Sequence, residues 1–150
     1  VNIILEDLVN QVKETSRKVV EELDEEHIPL VIALTPDGIA QIPMVIEDKA
    51  NFKVTLEMAL HHINAFSYIF INEAWTAEGE ALTSRILSEG IAISDLPLDD
   101  RGEILTITAV EKGKKPTYFL AKIYPAPQGR RLGEWMELAE AFNRLIATNW

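Results

Sequence analysis

Cysteine is absent from the 150 residues, which excludes disulfide staples, thiolate nucleophiles, CxxC redox chemistry and every cysteine-based zinc site. No apolar run approaches the roughly 18 residues that a bilayer crossing requires. The first residues, Val1-Asn2-Ile3-Ile4-Leu5-Glu6-Asp7, lack the basic and apolar regions of a signal peptide, so a soluble, cytoplasmic protein with no membrane association is expected. Basic charge is scarce: 14 Lys and Arg face 24 Asp and Glu, a net charge of −10 that opposes general nucleic-acid binding. The seven glycines form neither GxGxxG nor GxxxxGK[ST], and HExxH, GxSxG and EF-hand loops are missing. Dinucleotide-binding, P-loop, zincin and nucleophile-elbow enzymes therefore have no footing here. The length suits a single domain, 1–150.

Within that frame, hydrophobic periodicity orders the chain. Leu5, Val9, Val12, Ser16, Val19 and Leu23 recur at steps of four and three, predicting a helix that runs to about His27 with a narrow, heptad-like seam. Val9, Val12 and Val19 on that seam suit either a sheet or a partner helix. Pro29 ends the helix, and Leu30–Leu34, Thr35-Pro36-Asp37-Gly38 and Ile39–Ile46 read as a hairpin. Pro43 marks its second arm as an edge strand or a bulge. Asn51 is the expected N-cap of a helix to about Phe66, with Phe52, Leu56, Ala59, Leu60, Ile63 and Phe66 facing the core. Val54, Met58, His61 and Ala65 project on the other side as a second apolar stripe, to be covered by a neighbouring subunit or by a loop of the same chain.

Ser67–Trp75 is apolar on both faces and reads as a central strand, with Asn72 and Glu73 near its end. After an irregular insert, Glu103–Glu111 and Thr117–Tyr124 form a second hairpin, and Leu132, Trp135, Leu138, Ala139, Phe142 and Ile146 predict a last amphipathic helix. The fold class is α+β: a mainly antiparallel sheet of about five strands, ordered αββαβ-insert-ββα, with the helices packed on the sheet.

Charge is unevenly placed. Residues 112–131 carry no acid and six cations, Lys112, Lys114, Lys115, Lys122, Arg130 and Arg131. Such an island suits an anion, the acidic face of a second copy or a local nucleic-acid contact; it equally suits a solvated hairpin tip. The acids Glu21, Glu22, Asp24, Glu25 and Glu26 fall at a helix C-terminus, where the macrodipole disfavours them, so a cation from the island is expected nearby.

Candidate chemistry gathers around Glu73 with Asp95, Asp99, Asp100, Arg101 and Glu103. Paired carboxylates divide acid and base roles, or hold a divalent cation, when burial separates their pKa values. Arg101 alternatively neutralises Glu73 or Glu103 and ties the insert to the sheet. Of the three histidines, His61 and His62 point about 100° apart on a helix. Glu57 with His61 is better spaced, and His62 would need a ligand from another element. No cofactor is expected and no metal ligand set is assigned.

Asn72-Glu73-Ala74-Trp75, then the insert, then Asp100-Arg101-Gly102-Glu103-Ile104-Leu105 and Ala109-Val110-Glu111, resemble a loosely defined group of uncharacterised prokaryotic and phage-encoded proteins. The resemblance covers about the central third of the chain. Its insert is less proline-rich than the group's, and the group carries no established activity, so no catalytic residue transfers.

The resulting expectation is a non-enzymatic, self-associating interaction or accessory protein, a homo-oligomer with Val9, Val12, Val19, Val54, Met58 and His61 at its contact. Two alternatives stand beside it. One is a small metal-dependent hydrolase using Glu73 and the Asp95–Asp100 loop. The other is local nucleic-acid contact through the basic segment 112–131. Arg101, Lys112, Lys114, Lys115, Arg130 and Arg131 are the expected binding residues.

Overall fold

The structure, a computed structural model, describes residues 4–23, 29–44, 49–77, 101–127, 129–138 and 150, by backbone alone at 49, 50, 75–77 and 101. Among them the elements run α1 (Leu5–Glu21), β1 (Leu30–Thr35), β2 (Gly38–Pro43), α2 (Lys49–His62), β3 (Ser67–Ala77), β4 (Arg101–Glu111), β5 (Thr117–Ala126), β6 (Gly129–Leu132) and β7 (Met136–Leu138). The strands make one antiparallel sheet in the order β2-β1-β3-β4-β5-β6, with β7 beside β6 on the outer edge of β5. The α+β class and the antiparallel sheet hold; the strand number rises from five to seven.

Among the described residues each face of the sheet receives one helix. Ile32, Leu34, Ile69, Ile71, Leu105, Ile107, Ala121 and Ile123 line the face under Leu8, Val9, Val12 and Val20 of α1. Val31, Ala33, Tyr68, Phe70 and Val110 line the other, under Phe52, Leu56 and Leu60 of α2. This division follows from the period-2 alternation of β1, β3 and β4, whose two sides are both apolar and so demand cover on both.

In α1 the buried stripe is Leu8, Val9, Val12, Ser16 and Val20 rather than the heptad seam. A straight helix turns every 3.6 residues, so a 3.5-residue seam drifts by about 20° per heptad. By the last turns Val20 has rotated into the core, Val19 is half-buried and Leu23 is exposed. The helix stops at Glu21, and residues 24–28 lie outside the described residues.

Helix α2 begins at Lys49, which places Asn51 inside the first turn and not at the N-cap. Its other end is a Schellman motif. Asn64 takes a left-handed φ of 56°, the Ala65 N–H donates to Leu60 O (2.9 Å), and the Asn64 N–H donates to His61 O (3.2 Å). Ala65 is thereby turned inward onto Leu60 in the core, not outward with Val54 and Met58. Phe66, expected inside, is exposed at the entry to β3.

Pro43 closes the edge strand β2, as its ring predicts. The Met44 N–H donates to Pro29 O (2.9 Å), so by antiparallel alternation Pro43, opposite Leu30, turns its missing donor away from β1. At the other margin the expected helix from Leu132 is replaced, up to Leu138, by β6 and β7; residues 139–149 lie outside the described residues. Leu132 pairs with Ile123 and Met136 with Leu120, a one-residue slip taken up by a bulge at Gly133–Trp135. The open edge of β5 outcompetes helical periodicity there. Gly133 suits the bulge because a Cβ would lie 3.0 Å from the Tyr124 ring.

Candidate functional site

β3 and β4 pair from Ser67↔Glu111 to Ala77↔Arg101, which sets Glu73 opposite Leu105 on the α1 face. β5 and β6 place Arg130 opposite Pro125 on the same side. The two meet: Arg130 Nη1 donates to both Glu73 oxygens at 3.1 Å, and Glu103 lies 3.8 Å away. Their side chains are 19% exposed for Arg130, 10% for Glu73 and 50% for Glu103. Among the described residues this is the most enclosed ion pair. Arg130 of the basic island is thus a partner of Glu73; Arg101, the cation expected there, is described by its backbone alone, opposite Ala77 at the start of β4. Asp95, Asp99 and Asp100 lie outside the described residues.

A second polar cluster joins α1 to β6. Arg17 donates to the carbonyls of Leu132 (Nη1) and Gly133 (Nη2, 2.8 Å), while Glu21 Oε2 accepts the Leu132 N–H at 2.9 Å. Arg17 and Glu21 also pair with each other at 3.4 Å. Glu21 of the acidic run therefore meets Arg17 and a backbone donor of the neighbouring strand; Asp24, Glu25 and Glu26 lie outside the described residues. Glu21→Ala is expected to cost about 1–2 kcal/mol in urea unfolding, because the Leu132 N–H loses its acceptor. Hydrogen exchange at Leu132 should accelerate with it; unchanged exchange would mean that solvent already serves this group.

The basic island is not one surface. Lys112, Lys114 and Lys115 sit at the β4–β5 turn, where Lys114 pairs with exposed Glu111 at 2.9 Å, a contact of little energetic weight. Arg130 and Arg131 lie at the far end of β5, roughly 30 Å away at the rise of an extended strand. Arg130 enters the Glu73 pair on one face, and Arg131 lies 5.6 Å from the Tyr124 ring on the other.

Of the expected contact residues, Val9 and Val12 are buried beneath the sheet of their own chain and are unavailable to a neighbour. Val19 is half-buried. Val54 and Met58 are open to solvent, at 55% and 68% exposure, and His61 is exposed beside them.

Periodicity did not disclose a cleft of about 510 Å³ between the N-terminal half of α1 and the β4–β5 hairpin, lined in part by Glu6, Asn10, Lys13, Phe119 and Glu137. Lys13 Nζ sits 3.8 Å above the Phe119 ring, so a cation of the chain itself occupies the aromatic wall. On the opposite face, burial holds the Tyr118 phenol above its ordinary pKa. No three His, Asp or Glu side chains gather as a metal set among the described residues, and no described helix is long and apolar enough to cross a membrane.

Among the described residues, fold and site together give one antiparallel sheet with a helix on each face and a Glu-Arg ion pair within its central strand, at Glu73 of β3. Comparison with family models, curated proteins and solved structures finds no match to the chain.

Proposed function

We propose that the protein is a non-enzymatic interaction protein that associates with a second copy of itself. The observation that carries this reading is the outer side of α2. Val54 and Met58, one turn apart, stand 55% and 68% exposed while Phe52, Leu56 and Leu60 already fill the core beneath. A solvent face is ordinarily charged; this one presents two large apolar groups with His61. Support on the chemical side comes from Glu73, whose carboxylate is held at both oxygens by Arg130 and is poorly placed to act as a base or a metal ligand. Sedimentation velocity tests the reading. The wild-type chain is expected to shift to a larger species as concentration rises, and Val54→Asp with Met58→Asp to weaken that association about tenfold or more, since each desolvated charge costs over 1.4 kcal/mol. A chain that stays monomeric at every concentration overturns it.

A further inference from the structure

The two margins of the sheet differ. On the β6 side, α1 reaches over with Arg17 and Glu21 and satisfies the backbone of Leu132 and Gly133. On the β2 side, Ile39 and Gln41 turn their N–H and C=O groups away from β1, in the alternation fixed by Met44 N–H to Pro29 O. Among the described residues those outward groups have no hydrogen-bond partner. Ile39 is 46% exposed, and Gln41 and Pro43 are exposed with it. Natural edge strands are usually guarded by charge, by a bulge or by brevity. β2, Gly38-Ile39-Ala40-Gln41-Ile42-Pro43, carries no charged side chain in a chain of net charge −10, and among the described residues its guard is the proline at its end.

We propose that the free edge of β2 is a strand-pairing surface whose occupant is β2 of a second copy, related by a two-fold axis through Ala40. In that antiparallel register Ile39 of each copy faces Gln41 of the other, so each copy's outward N–H and C=O groups meet complementary ones. Pro43 then falls opposite Asp37, beyond the strand, where its missing donor removes no bond. Ala40 meets Ala40, and Ile42 meets Gly38, which leaves room for the isoleucine. No charge is brought against a like charge along the strand, which matters for two copies this acidic. A strand of a partner with acidic side chains would lack that neutrality. The contact is short, so the pairing is weak and concentration-dependent.

The inference rests on self-association but names a different surface from α2, and the experiment separates the two. Hydrogen exchange over residues 38–43 is read at about 5 µM and about 500 µM, a span that brackets a weak dimer. The amides of Ile39 and Gln41 are expected to slow by about tenfold at the higher concentration. Gln41→Pro removes only an outward donor and keeps every bond to β1, and Ile39→Lys puts a charge on the edge; both should abolish the slowing while leaving circular dichroism unchanged. Val54→Asp with Met58→Asp should keep it. Absence of slowing in the wild type overturns the proposal, as does slowing that survives both edge variants. If sedimentation still shows association in either case, the α2 reading stands without the edge.

Discussion

Phe70→Ala is expected to remove about 3–5 kcal/mol of stability, the range for deleting a fully buried aromatic ring. At this chain length that lowers the melting temperature by roughly 6–20 °C. Phe70 lies on the α2 face of β3, between Val31 of β1 and Thr108 of β4, and is fully buried. Its ring meets Phe52 edge-on, with centroids 5.3 Å apart and planes at 63°. The wall behind it is paired backbone, which cannot move inward to close the gap. Among the described elements α2 is the one on that face, and Leu56 and Leu60 seat it there. Met58→Ala, on the outer side of the helix, should change stability by less than about 0.5 kcal/mol and serves as the control. A loss below about 1.5 kcal/mol at Phe70 would mean that α2 settles into the space, contrary to a jigsaw-packed interface.

Arg130→Met is expected to cost about 3 kcal/mol, because it withdraws the guanidinium from a carboxylate that is nine-tenths buried. The methionine keeps most of the packing along the side-chain stem, so the loss reports charge and hydrogen bonding. The half-exposed Glu103, 3.8 Å from Arg130, adds little, since solvent screens it. Arg130→Lys should fall between the two, with one point charge in place of a fork. Combining Arg130→Met with Glu73→Gln should return much of the stability, since the stranded charge is then gone. Urea unfolding of these three variants, of Glu73→Gln alone and of the wild type closes this cycle. If the single and double variants were equally destabilised, the loss would lie in packing at β6 and not in the ion pair.

What could be read from the chain alone was what depends on neighbours in sequence. The Thr35–Gly38 turn, the two-faced apolarity of β3, seen at Tyr68–Ile71, and the edge position announced by Pro43 need only local spacing, and each stands in the fold. Val19 and Leu23 were placed on the core seam by a repeat of 3.5 residues, but the partner surface is a sheet, and a straight helix tracks it at 3.6. Ala65 was misplaced because a projection at 100° per residue continued past the Schellman stop at Asn64. Leu132 and Leu138 belong to strands for a reason absent from their own segment, namely the unpaired margin of β5. The partner of Glu73 was legible only as a cation. Bringing Arg130 to Glu73 requires the registers Glu73↔Leu105 and Ile123↔Leu132, which together join residues 57 apart in sequence.

The Arg17 and Glu21 clamp over β6 also sets a limit on growth. A sheet with both flanks exposed can recruit copies without end, which is the geometry of fibrils. Here one flank is stoppered by a helix and broken by a bulge, and the three-residue β7 is too short to template a further strand. Any lengthening of the sheet through β2 therefore ends at a pair of copies, with the stoppered flanks outermost and, among the described strands, no free sheet edge left to extend.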